Sequence, residues 1–354
     1  MAKRKVMVMM YNKTRLGGPS NAMKKIMASG LAEEYDFIPY YFVDKLGKIP
    51  KFNVIRKLAR EVKRTNPDII YFTGLQLQGF YVAMSCALAG YRKKTVMAVR
   101  GSSCDAINIS KPFYFIFRHI IEPITLRLTE ITHTVCTEMS EKKMLKDNMH
   151  KFGGVIYNMA PLNMKDTEPI SREELGVTNE DVVLIYTGRL IDDKGIPYLL
   201  KAMSETAHNQ KLLLVGDGPH KIDYEKKCQE LGILDRVIFL GNREDVFQLL
   251  AASDIYVFPT LHENLSNSLL EAGTMKLPMI ATNVGGNPEV IDDGVEGILV
   301  KAESSDTLRD AIEELTVDSG KRKAMGEAAF RKMEKVFAPE VILAQIDKIF
   351  ESIA

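Results

Sequence analysis

Cysteine is scarce in this 354-residue chain, and the four present (Cys86, Cys104, Cys136, Cys228) show neither C-x-x-C pairing nor a histidine at metal spacing. That pattern argues against a disulfide framework or a zinc finger and for reduced, buried thiols. Six scattered histidines form no ligand cluster, so no metal is expected. No apolar run reaches the roughly 18 to 20 residues that span a bilayer. The opening Met-Ala-Lys-Arg-Lys leads straight into a strand-like Val6–Met10 rather than the apolar core of a signal peptide. Together these absences point to a cytoplasmic protein. G-x-G-x-x-G and the P-loop lysine motif are missing too, and no acidic residue ends the second strand as a dinucleotide site requires. A nicotinamide cofactor is thereby disfavoured.

What the chain has is length for two ordinary domains, 46% hydrophobic residues and no low-complexity tract. Short apolar runs alternate with helical patterns throughout. In the first half the runs are Val6–Met10, Phe37–Phe42, Ile69–Phe72, Thr95–Val99 and Ile131–Val135. In the second they are Val182–Thr187, Lys211–Val215, Val237–Leu240, Ile255–Phe258, Met279–Ala281 and Ile298–Val300. Runs of this kind are strands buried on both faces, as in parallel sheets covered by helices. The reading is α/β: two Rossmann-like domains, 1–160 and 161–338, with parallel sheets facing across a cleft. The Pro-, Asn- and acid-rich stretch 158–181 reads as the linker, and a helix from Pro339 onward as crossing back onto the first domain.

The near-neutral whole hides two oppositely charged halves. Residues 1–160 hold 26 Lys and Arg against 12 Asp and Glu, a net +14, and the remainder holds 21 against 34, a net −13. A basic half suits an anionic membrane surface or a pyrophosphate-bearing acceptor, although a merely solvated surface has the same composition. Nucleic acid is not an expected partner. Phe113-Tyr114-Phe115-Ile116-Phe117-Arg118 opens a helical stretch to Arg127 that is apolar almost all round. Such a stretch is either a partly buried helix or one that docks on a membrane at its inner face.

Three further groups carry chemistry. Glu263 and Glu271 flank Asn264–Leu270 just after the strand Ile255–Phe258. A helix starting between Asn264 and Ser268 would offer free N–H groups and a positive dipole end to a diphosphate. The two carboxylates would then sit about 12 Å apart along that helix, at about 1.5 Å per residue. Ser268 with Glu271 also fits a capping box, which needs no ligand. Gly188-Arg189-Leu190 with Lys194-Gly195 follows the strand Val182–Thr187, and a guanidinium fork with a lysine point charge can neutralise a diphosphate. Gly17-Gly18 after the first strand lets backbone approach a phosphate, whereas Gly216-Asp217-Gly218-Pro219 reads as a plain turn.

In this order the motifs resemble the retaining glycosyltransferase family 4, of GT-B fold and with an E-x7-E element. The resemblance also rests on Val284-Gly285-Gly286-Asn287-Pro288-Glu289, Asp292-Asp293-Gly294 and Gly297–Val300. It implies a retaining transfer from a nucleotide-diphosphate sugar, UDP- or GDP-linked, to a glycan or lipid-linked acceptor, without metal or other cofactor. Glu263, Lys194 and Arg189 would be catalytic, with Glu263 on the donor-sugar hydroxyls. Gly17, Gly18, Gly188, Leu265, Ser266 and Asn267 would line the donor, Glu271 would hold the ribose, and Asn242 with Arg243 would lie near the base. Asp192-Asp193 is the nearest imitation of a D-x-D metal motif, inside the Arg–Lys loop. Arg100 stands where many members have a histidine, and an arginine cannot act as a base at neutral pH. Arg100, Asp105 and Glu138 are the candidates on the acceptor side. A GT-B sugar-nucleotide epimerase or a non-catalytic nucleotide-sugar-binding protein would share the motifs.

Overall fold

The computed structural model describes residues 3–10, 18–42, 51–102, 110–206 and 209–353. Among the described residues twelve strands form two parallel sheets of six. The first contains β1 (Arg4–Met10), β2 (Tyr35–Tyr41), β3 (Ile69–Thr73), β4 (Thr95–Val99), β5 (Ile131–Thr134) and β6 (Lys151–Val155), in the order β2-β1-β3-β4-β5-β6. The second contains β7 (Val182–Thr187), β8 (Gln210–Val215), β9 (Val237–Gly241), β10 (Ile255–Phe258), β11 (Met279–Thr282) and β12 (Gly297–Val300), ordered β12-β11-β10-β7-β8-β9. The chain divides into two compact units, residues 1–158 with 340–354, and residues 159–339.

Helices of the first unit are α1 (Gly18–Met27), α2 (Phe52–Thr65), α3 (Leu77–Ala89), α4 (Lys111–Ile116), α5 (Glu122–Arg127), α6 (Thr137–Glu141) and α7 (Lys143–Asn148). Between α4 and α5 the backbone widens to a π-helical turn over Phe117–Ile121. The second unit adds α8 (Ile196–Glu205), α9 (Lys221–Glu230), α10 (Val246–Ala251), α11 (Asn267–Thr274), α12 (Asn287–Val290), α13 (Ser305–Val317) and α14 (Ser319–Lys335). A last helix, α15 (Pro339–Glu351), follows. Among the described residues no helix is long and apolar enough to cross a membrane.

The first sheet is covered on both faces, which is why β3 and β4 are apolar without alternation. On one face Met7, Ile70, Phe72 and Met97 pack with Leu58 and Val62 of α2 and Val82 and Cys86 of α3. α15 joins the same unit from the far end of the chain. The Tyr35 hydroxyl donates to Asp347 at 2.6 Å, and Arg4 donates to the carbonyls of Phe350 and Ile353 at 3.0 and 2.7 Å. Phe350 meets Tyr35 and Tyr71 edge-on, at 5.3 and 5.4 Å between centroids.

One strand is absent from the sequence reading: β6, Lys151-Phe152-Gly153-Gly154-Val155. A Cβ on Gly153 would come within 2.9 Å of the side chains of both Ile131 and Ile349, so the glycine makes room for α15 against the sheet. The stretch 158–181, read as the linker, is held by hydrogen bonds of its own. The Arg172 guanidinium pairs with Asp254 at 2.8 Å and donates to the carbonyls of Ala252 and Asp181, while Ile170 N–H donates to Gln248. Short-range composition shows polarity but not the partner that satisfies it. Cys86, Cys136 and Cys228 are buried and outside any disulfide.

Candidate active site

The second sheet changes direction at its centre. From β7 the chain adds β8 and β9 on one side, then returns to place β10, β11 and β12 on the other. The loops after β7 and β10 therefore diverge at the carboxyl edge, and such switch points are where open α/β sheets hold ligands. Lys194 arrives on the first loop and Glu263 on the second, and the two form an ion pair with Nζ and Oε2 2.8 Å apart. Lys194 is 14% and Glu263 21% exposed, so their mutual attraction is screened less than that of a surface pair. The ammonium also lies 5.2 Å over the Phe258 ring. Thus the structure brings together two residues 69 positions apart.

The frame around them is backbone. Leu261 N–H donates to the Asp193 carbonyl at 2.8 Å, and Thr260 Oγ1 donates to that carbonyl or to His262, at 3.1 and 2.9 Å. Gly195, at φ +63°, closes the tight turn Asp192–Lys194 in the left-handed region. A side chain there would overlap the Pro259 carbonyl, so glycine is what lets the two loops touch.

Helix α11 begins at Asn267, with Ser266 as its N-cap accepting from Leu269 N–H at 3.3 Å. Glu271 therefore lies beyond the first turn, and the Ser268–Glu271 capping-box reading does not hold. Leu265 and Ser266 are buried, Asn267 and Glu271 half-buried. Tyr256, buried beneath them, shares a 3.1 Å hydrogen bond with Thr187 and so ties β10 to β7. Burial, the chief cause, raises the Tyr256 phenol well above its ordinary range.

The other residues read from the second half follow along the same edge. Gly188 N–H donates to Val215 at 2.9 Å and Gly216 N–H to Gly241 at 2.7 Å, a stair of backbone bonds across β7, β8 and β9. Arg189 is exposed and makes no ion pair among the described residues. Asn242 is exposed after β9, and Arg243 forms a fork with Asp245 at 2.8 and 2.6 Å. Gly216–Gly218, read as a plain turn, belongs to this edge as well, since Leu190 N–H donates to Asp217 at 3.0 Å. So does Gly285, whose neighbourhood is Glu263 itself.

In the first unit Arg100 follows β4 and donates to the side-chain oxygen of Asn158. Behind it Tyr71 and His133, both buried, are 3.0 Å apart through the hydroxyl and Nε2. Burial first, then the Arg100 charge, lowers the His133 imidazole to about 3, so it is neutral. Glu138 is exposed on α6, after the neighbouring strand β5. Gly18 starts α1, while Gly17 and Asp105 lie outside the described residues. Sequence reasoning passed over Glu122, a fully buried carboxylate that accepts from Ser102 Oγ at 2.8 Å. Its only sequence neighbourhood is apolar, which gives no signal for a partner 20 residues away.

The chain compares with known proteins as this geometry leads one to expect. The family described as Glycosyl transferases group 1 matches residues 167–332. N-acetyl-alpha-D-glucosaminyl L-malate synthase of Bacillus anthracis is 28% identical over 298 residues, 83% of this chain and 77% of that protein. Capsular polysaccharide biosynthesis glycosyltransferase CapM of Staphylococcus aureus is 24% identical over 277 residues, 73% of this chain and 70% of its own length. The crystal structure of Anabaena Alr3699/HepE in complex with UDP superposes with a TM-score of 0.80 at 21% identity, over 98% of this chain and 100% of that one. The domain match and the whole-chain superposition agree with the residue pattern: residues 167–332 form a glycosyl transferases group 1 domain, and the chain has the GT-B fold.

Proposed function

We propose that this glycosyltransferase moves a sugar, with retention and without a metal, from a nucleotide-diphosphate sugar to a glycan or lipid-linked acceptor. The products are cell-surface polysaccharide or another glycoconjugate, made in the cytoplasm at the inner face of an anionic membrane. The observation that carries the reading is the Lys194–Glu263 pair at the switch point, with the N-terminus of α11 directly behind it. Glu263 meets the donor-sugar hydroxyls, Glu271 the ribose, and the backbone at Leu265, Ser266 and Asn267 the diphosphate. Arg189 and Lys194 neutralise the departing diphosphate, the part a metal ion plays in other transferases. The acceptor attacks from the face the diphosphate leaves, and a departing phosphate oxygen takes its proton. No protein base is then required, and Arg100 serves to orient or neutralise the acceptor. HepE was solved with UDP, and CapM is named for capsular polysaccharide, which supports the donor and product classes.

With a defined acceptor, turnover is expected to survive chelation and the product to keep the donor's anomeric configuration by NMR. Activity lost in chelator and restored by added magnesium would overturn the metal-free half of the proposal. An inverted product would overturn the other half.

Binding separates the two glutamates. Glu271→Gln is expected to weaken binding of the bare nucleotide diphosphate by about 10- to 150-fold, the loss of one charged hydrogen bond of about 1.5–3 kcal/mol. Glu263→Gln leaves that affinity unchanged or tighter, because it releases the Lys194 ammonium, and weakens the complete donor instead. Equal affinity of both variants and wild type for the bare nucleotide, by calorimetry, would remove the ribose role.

A further inference from the structure

The helical stretch from Lys111 to Arg127 faces two ways. Inward, Phe117, Ile121 and Ile124 share one buried cluster with Val54 and Ile55 of α2 and with Phe80 and Tyr81 of α3. Outward, Phe115, Ile116 and Ile120 are 60%, 43% and 46% exposed, and Tyr114 is 41% exposed. Positions 112, 115, 116, 119 and 120 follow the i, i+3, i+4, i+7, i+8 spacing of one continuous helical face. On a water-facing helix that face is normally polar. Here it is apolar, with the His119 ring packed on Phe115 at 4.6 Å.

The helix it packs against carries cations. α2, joined to this stretch through the shared cluster, exposes Arg56, Lys57, Arg60, Lys63 and Arg64 against a single acid, Glu61. At its start Phe52 is 56% exposed, with the Arg56 guanidinium 4.5 Å over the ring. Lys111 adds an exposed cation where α4 begins. Exposed aromatic and branched apolar side chains beside a run of lysines and arginines match the two layers of an anionic bilayer surface. The apolar groups enter the acyl boundary and the cations meet the headgroup phosphates.

We propose that Phe115, Ile116 and Ile120, with Phe52 and the α2 cations beside them, form a docking face that inserts shallowly into an anionic lipid bilayer. It rests on the reading above in one respect, that the acceptor is held at a membrane. Binding of the face to lipid involves neither donor nor transfer, so the two readings fail separately. Neither side alone suffices: one helix face buries little apolar area, and headgroup attraction without insertion is lost as salt rises.

The chain contains no tryptophan, so Phe115→Trp supplies a sole indole at an exposed position. With the full-length protein and no nucleotide sugar present, its emission is expected to shift to the blue on adding phosphatidylglycerol-containing vesicles. Lipids brominated near the headgroup end of the chain should quench it. Pure phosphatidylcholine vesicles should bind at least tenfold more weakly. Ile116→Ser with Ile120→Ser, and separately Arg56→Gln with Lys57→Gln and Arg60→Gln, should each lower partitioning into anionic vesicles at least tenfold. Far-UV circular dichroism and donor binding should stay as in wild type. An unshifted emission, or serine variants that sediment with vesicles as wild type does, overturns the proposal. A dimer in lipid-free solution that the serine pair dissociates also overturns it, because the face is then a contact between copies.

Discussion

Lys194→Ala is expected to lower kcat about a hundredfold, with KM for the donor changed by no more than a few fold. In the free protein the ammonium is already committed, 2.8 Å from Glu263 Oε2. A ground-state diphosphate competes for it, so what Lys194 adds to donor affinity is offset by what it gives up to the carboxylate. As the glycosidic bond breaks, negative charge gathers on the departing phosphate oxygens, and a fixed cation in a partly dry site gains strength at that moment. A loss of about 3 kcal/mol in the transition state corresponds to roughly a hundredfold in rate. The two side chains touch, so Lys194→Ala combined with Glu263→Gln should cost less than the product of the single losses. Steady-state kinetics of the four proteins check this. A raised KM with unchanged kcat would make Lys194 a ground-state binder only.

That prediction draws on sequence and structure in unequal parts. Periodicity was enough for the strands, because a strand buried on both faces must be apolar throughout, and β3, β4, β7 and β10 are. It missed β6, where Gly153 answers to the packing of Ile349 on α15, far along the chain. At 158–181 Arg172 satisfies four carbonyl and carboxylate partners that no local pattern reveals. At the site, the residue types and their order were legible, since a lysine after one strand and a glutamate after another are local facts. That they form an ion pair was not, because it depends on β7 and β10 being neighbours in the sheet. The capping-box alternative turned on where α11 starts, a matter of two residues that only Ser266 in its capped geometry decides. The docking face is the converse case. Sequence showed a helix apolar all round, and burial separated its inner side from its outer one.

Gly285→Ala is expected to abolish most of the transferase activity while leaving the protein folded. Gly285 sits in the turn Val284-Gly285-Gly286 that leads from β11 into α12, and it adopts φ +58°. Alanine in that left-handed conformation costs about 1–2 kcal/mol, which a domain of ordinary stability survives. The larger consequence is steric. A Cβ on Gly285 would overlap the backbone carbonyl of Glu263, and neither group is the end of a flexible side chain that swings aside. The carbonyl must move, and with it the Cα that aims the Glu263 carboxylate at Lys194. In the proposed role of Glu263 on the donor sugar, a displacement of about 1 Å costs on the order of a hundredfold in rate, so kcat/KM should fall by at least that factor. Gly294→Ala is the matched control: φ is +79° there, so the backbone strain is alike, but nothing lies within 4 Å of the added methyl. Its melting temperature should fall as far as that of Gly285→Ala or nearly so, with activity within a few fold of wild type. Equal activity of the two variants would mean that the contact between Gly285 and Glu263 has no part in catalysis.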